Sequence, residues 1–195
     1  MTGTPPRARR ADALRNRDRV LAAAVRAFTE HGPDASVNLI AKEAGVGIGT
    51  LYRHFPTREA LIEAAYRNEL AAVCDAAADL LAEEPPVEAL RAWMHRFIDY
   101  MATKLGMAEA LRTVIASGGD PYAQSRNLLT GAIARLLDAA TAAGEIRDDA
   151  NADDLLIGLS GIAMAAGDPE RRDQAGRLIE FMIDALRYRP DRSGQ

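Results

Sequence analysis

The stretch "AGVGIGTLYRHFPTRE", residues 44–59, puts three glycines, a Tyr-Arg-His-Phe run and a proline into an alanine-rich chain. Just upstream, Ser36 can cap a short helix whose Val37, Ile40, Ala41 and Ala44 fall at i, i+3, i+4 and i+7. Gly45 ends that helix, and its position calls for a positive φ. Val46 can plug the turn from beneath. In the next short helix Leu51 and Phe55 lie four residues apart and point the same way, into the unit. Gly49, Thr50, Arg53 and, more laterally, Tyr52 and His54 point elsewhere. Pro56 stops this helix at once, and Thr57 can cap the one that follows. Short helix, glycine turn, short helix: residues 36–55 predict a helix-turn-helix.

The outer side of the second short helix carries hydrogen-bond donors and little bulk at its start. A helix entering a groove about 12 Å wide needs that shape. The first residues of such a helix reach base edges, so Gly47, Ile48, Thr50 and Arg53 are the readout candidates. Gly49 allows close backbone approach, Ile48 offers an apolar contact to a thymine methyl, and Arg53 suits guanine. Tyr52, His54 and Arg58 are expected at phosphates, as are Ser36 and the free N–H groups that open its helix. The N-terminal "PPRARR" adds sequence-independent attraction or reaches an adjacent minor groove.

Charge supports this placement. Residues 1–58 hold 10 Lys+Arg against 5 Asp+Glu, whereas the remainder holds 14 against 23. A basic head on an acidic body suggests that one end meets a polyanion, although a solvated charged surface would look the same. The 195 residues, 48% of them hydrophobic, suffice for a real core. The single cysteine, Cys74, excludes an internal disulfide framework and favours a cytoplasmic location. No apolar run approaches the roughly 20 residues that span a bilayer, and the basic N-terminus lacks the apolar stretch of a signal peptide.

Helical periodicity runs along nearly the whole chain, and no convincing run of alternating β-branched residues interrupts it. Leu14, Leu21, Ala24, Val25 and Phe28 mark one face of a first helix that stops at Gly32-Pro33. A long helix from Thr57 is broken at "EEPP", residues 83–86, and further helices end near Gly106, Ser117 and Gly144. Two last helices occupy roughly 151–166 and 172–188. About nine helices are expected, in an all-α fold. The domains predicted are a flexible basic arm (1–11), a three-helix DNA-binding domain (12–56), a C-terminal helical ligand-binding and dimerisation domain (57–189), and a tail (190–195).

"VLAAAVRAFTEHG" followed by "VNLIAKEAGVGIGTLYRHFPTREAL" resembles the DNA-binding domain of the TetR family of transcriptional regulators. The likeness covers roughly residues 14–63; beyond them it is one of layout. It implies family DNA contacts at Thr50, Tyr52, His54 and Arg58, a homodimer, an effector pocket in the C-terminal helices, and control of transcription, usually repression. Two departures stand out. Gly47 and Ile48 occupy positions where the family often has a serine and a lysine, so one capping hydroxyl and one DNA-contacting ammonium are missing.

In the C-terminal part, Tyr66, Cys74, Trp93, Phe97, Met101, Leu111, Ile115, Tyr122 and Leu129 include most of the large apolar side chains. They either surround an apolar cavity, with Tyr66, His95, Tyr100 and Tyr122 as polar handles, or simply fill the core. In the penultimate helix Gly158, Gly161 and Ala165 form a strip without bulk, flanked by Leu155, Leu159 and Ile162. The last helix carries Leu178, Ile179, Met182, Ile183 and Leu186. Burial against the same chain would use such faces; their width favours a four-helix interface in a two-fold dimer.

No nucleophile elbow, phosphate-binding glycine loop, dinucleotide fingerprint or metal-ligand spacing is present, so neither catalysis nor a metal or cofactor is expected. Asp148, Asp149, Asp153 and Asp154 lack the spacing of a calcium loop and suit an exposed turn before a helix. The sequence points to a ligand-responsive, sequence-specific repressor that releases a palindromic operator when a small apolar molecule binds. The alternative is an all-α binding or scaffolding protein without specific DNA recognition.

Overall fold

The computed structural model describes residues 6–165 and 171–187. Among these residues are nine α-helices and no strand: α1 (Pro6–His31), α2 (Val37–Glu43), α3 (Ile48–His54), α4 (Arg58–Glu83), α5 (Pro86–Gly106), α6 (Ala108–Ala116), α7 (Ser125–Ala142), α8 (Ala152–Ala165) and α9 (Arg172–Arg187). The all-α class is therefore as the sequence predicts. None of these helices is long and apolar enough to cross a membrane.

Side chains set the helix starts. Ser36 Oγ accepts the Leu39 N–H at 3.4 Å to open α2, and Thr57 Oγ1 accepts the Ala60 N–H at 3.0 Å to open α4. Asn151 Oδ1 accepts from Asp153 N at 2.8 Å and Asp154 N at 3.2 Å at the start of α8. The acidic stretch around it is a helix entry, with Arg147 paired to Asp149 and Arg126 to Asp153. For α5 the acceptor comes from far along the chain: Glu145 Oε2 takes the Val87 N–H at 2.8 Å.

Two expectations about α1 change. Proline is well tolerated at the first helical position and the residues after it favour helix, so α1 begins at Pro6 and takes in part of the expected arm. Residues 1–5 of that arm, and the whole 190–195 tail, lie outside the described residues. Leu14, expected inside, is 57% exposed. The buried stripe of α1 runs instead through Val20, Leu21, Ala24 and Phe28. The helix is 26 residues, about 39 Å, whereas α2, which packs on it, has seven residues, about 10 Å, too short to cover both ends.

The chain packs as two compact units. The first joins the chain up to Glu69 with the segment Thr103–Pro121. Its core includes Leu21, Phe28, Ile40, Leu51, Leu61, Ile62, Tyr66, Met107 and Leu111. In it, α6 packs against the 3-10 turn at Gly32–Asp34, so part of the segment that follows α4 is built into the helix-turn-helix unit. The second unit combines Leu70–Ala102 with the chain from Tyr122 onward. Trp93 and Phe97 are fully buried there, 5.7 Å apart and stacked, with Tyr100 6.0 Å beyond Phe97. The Trp93 indole N–H donates to the Val73 carbonyl at 2.7 Å, which removes the cost of an unpaired donor in that core.

Candidate nucleic-acid interface

Gly45 has φ of +66°, a left-handed turn that an L side chain would strain. Its N–H donates to Lys42 O at 3.1 Å and the Val46 N–H to Ala41 O at 3.0 Å. This pair of bonds satisfies the last carbonyls of α2 and turns the chain sharply into α3. Gly47 caps α3 in an extended conformation, with its carbonyl accepting from Thr50 N at 2.9 Å and Leu51 N at 3.1 Å.

The seven residues of α3 divide cleanly. Leu51 and the adjoining Phe55 are buried in the unit. Gly47, Ile48, Gly49, Arg53 and His54 are exposed, Thr50 is half-exposed, and Tyr52 is 45% exposed. A β-carbon at Gly49 would meet nothing within 4 Å, so the chain's own packing does not require glycine there. Ser36 is also exposed. Ile48 and Tyr52 are large apolar groups left facing outward on one short helix, which costs solvation unless a partner covers them.

Arg58, expected at a phosphate, is engaged within the chain. Its guanidinium lies 5.3 Å over the Phe28 ring, and Nη2 donates to the Pro33 carbonyl. The sequence spacing gave no sign of this contact, because Phe28 and Pro33 come from a different helix and its following turn.

The expected effector residues are spread over both units. Trp93, Phe97, Met101 and Leu129 are buried in the second unit, with Cys74 and Tyr122 half-buried there. Tyr66 and Leu111 are buried in the first unit. Ile115 belongs on neither list: it is exposed on α6, whose inner side is formed by Ala110, Leu111 and Val114. His95 is likewise exposed on α5, one position beyond the buried Met94, and is no polar handle of an interior cavity.

The α8 and α9 faces are also redistributed. Leu155, Leu159, Ile179 and Ile183 are buried inside their own chain, so they hold this unit together and offer no open surface. Gly161 and Ala165 are exposed, and Gly158, Ile162, Leu178, Met182 and Leu186 are half-buried. A β-carbon at Gly158 would stand 3.0 Å from Met182 Cε on α9 of the same chain, whereas one at Gly161 would meet nothing within 4 Å. Three residues absent from the sequence expectation complete the outer face: Ile157 is 60% exposed, Met164 70% and Phe181 67%. Their apolar character was legible; their outward direction depended on which side the rest of the chain occupies.

Two short helices joined by a left-handed glycine, the first capped by Ser36 and the second leaving one edge exposed, make a helix-turn-helix of the DNA-binding kind. Residues 20–65 match the family described as bacterial regulatory proteins, tetR family, and residues 85–188 match the SbtR-like transcriptional regulator C-terminal domain. A TetR transcriptional regulator from Streptomyces coelicolor is 60% identical, with a TM-score of 0.86 over 89% of this chain and 99% of that one. A TetR transcription regulatory protein from Mycobacterium vanbaalenii is 34% identical, with a TM-score of 0.75 over 92% and 99%. An HTH-type transcriptional regulator from Staphylococcus aureus is 49% identical over 53 residues, 27% of this chain and 29% of that relative's length. The chain belongs to the TetR family of transcriptional regulators. Members of this family bind operator DNA and are not enzymes.

Proposed function

We propose that this protein is a ligand-responsive repressor that reads a palindromic operator as a homodimer and releases it when a small apolar molecule binds the C-terminal helices. The observation that carries the reading is the division of α3: Leu51 and Phe55 inside, and Gly47, Ile48, Gly49, Thr50, Tyr52, Arg53 and His54 along its open side. Gly47, Ile48, Thr50 and Arg53 read base edges, Gly49 lets the backbone come close, and Ser36, Tyr52 and His54 hold phosphates. Two such helices must stand about 34–36 Å apart, or a multiple of that, to enter successive major-groove faces.

The exposed Ile157, Met164 and Phe181, together with Gly161, Ile162, Ala165, Leu178, Met182 and Leu186, supply the dimer face. The effector is an apolar molecule received among Trp93, Phe97, Met101 and Leu129, with Cys74 and Tyr122 at hand. It acts only through a difference in affinity between the DNA-competent and DNA-incompetent arrangements.

Selection of bound duplexes from random DNA tests the reading. A palindrome is the expected product, and Arg53→Ala should relax preference at one symmetric pair of positions, at a cost of about 1–3 kcal/mol there. Recovery of unrelated sequences, or a variant with the parent's preferences, would remove sequence-specific reading by α3.

A further inference from the structure

We infer that Arg58 is a positioning residue that joins the two ends of the helix-turn-helix and thereby fixes the tilt of α3. The inference rests on α3 being the DNA-reading helix.

Arg58 Nη2 donates to the carbonyl of Pro33, 25 residues earlier. The segment between them runs from Asp34 and Ala35 through the Ser36-capped α2, the Gly45 turn and α3 to the three-residue connection Phe55–Thr57. One hydrogen bond thus closes a loop around the entire reading element. Its platform is firm, because the guanidinium also lies 5.3 Å over the Phe28 ring, which is fully buried in α1. On the other side of the loop, the Ala35 N–H bonds to Gly32 O at 3.4 Å and Ser36 caps α2, so the position of Pro33 is passed directly to the start of α2. Three residues separate α3 from α4, leaving the end of α3 little freedom that Arg58 does not share.

The contact uses what is particular to arginine: a planar group that lies on an aromatic face while an edge N–H donates to a carbonyl. A lysine holds a phosphate well as a point charge, but its compact ammonium has no plane to lie on the ring and reproduces the pair of contacts less well. An arginine turned out to a phosphate would leave both partners.

The parent, Arg58→Lys and Arg58→Gln are compared in two measurements: amide exchange on the DNA-free proteins, and affinity across several salt concentrations for the duplex the parent selects from a random pool. Both variants should bind roughly fivefold or more weakly, with an unchanged slope of log affinity against log salt. Exchange should quicken at Leu39, Ile40, Thr50 and Leu51, while amides of α5 and α7 keep their protection. Arg58→Lys binding like the parent while Arg58→Gln loses about two units of salt slope, one from each subunit of the proposed dimer, would mark a phosphate contact and overturn the inference. Unchanged exchange at α2 and α3, or protection lost equally everywhere, would overturn it too. If the parent selects no duplex, the DNA reading fails, and the exchange pattern alone decides whether Arg58 closes the loop.

Discussion

A β-carbon at Gly106 would stand 2.5 Å from Cγ2 of Thr29, nearer than two such carbons approach. The end of α5 and the last turn of α1 therefore meet at a point where only glycine fits. Gly106→Ala should destabilise the protein by about 1–3 kcal/mol, the range for overpacking a close contact. Thr29 is exposed and has two χ1 rotamers open to it in a helix. Rotation of Cγ2 therefore relieves part of the clash, and the loss should lie at the low end of that range. Thr29→Ala alone should be nearly neutral, and the double variant should recover most of the loss. A urea-denaturation cycle reads the coupling; strictly additive single effects would show that the two residues do not press on each other.

Phe181 exposes 67% of its surface on α9, beside half-buried Leu178 and Met182. Phe181→Glu should leave helix content intact, since nothing in the chain's interior depends on the ring. It should convert the proposed dimer to a monomer in sedimentation, because a carboxylate within an apolar interface is costly to bury. A variant that still sediments as a dimer would place the interface elsewhere.

Glu145 accepts the N–H of Val87, a residue 1% exposed in the first turn of α5. Glu145→Ala leaves that donor unpaired and should cost about 1–2 kcal/mol in thermal or urea unfolding. Glu145→Gln, which retains an acceptor oxygen, should cost less. Equal losses for the two would assign the effect to something other than the cap.

Burial, with the negative charge of Asp75 behind it, pushes the Cys74 thiol from its ordinary 9.0 up to about 11. Thiolate is the reactive form, so a thiol-specific reagent should label the folded protein slowly at pH 8 and far faster as the pH approaches the raised value. The folded state holds its proton more tightly than the unfolded chain. The corresponding stability is complete below pH 9 and is lost as pH rises towards about 11. Labelling at pH 8 as fast as in denaturant would contradict the burial of this thiol.

The reading element was legible in the sequence because its signals are local. Gly45 with its positive φ, the caps Ser36 and Thr57, and the inward pair Leu51 and Phe55 all follow from chemistry within a few residues. What escaped depends on neighbours distant in sequence. Leu14 looks like core by spacing, yet short α2 cannot cover all of α1. On α8 and α9 apolar residues occupy more than one side, so periodicity gives faces without saying which is inward. Ile179 and Ile183 went inside and Phe181 outside. The contacts of Arg58 with Phe28 and Pro33 were not legible either, because those partners lie far from it in sequence.

The three-residue link from Phe55 to Thr57 also restricts how this protein can diverge. Each residue added within α3 would rotate everything beyond it by about 100° and advance it 1.5 Å, throwing Phe55 out of its buried seat and Arg58 off Pro33. Length is therefore frozen while side chains on the open edge stay replaceable. New target sequences should arise in this lineage by exchange of single letters at the exposed positions among 47–54, with buried Leu51 retained, and insertions or deletions there should be purged.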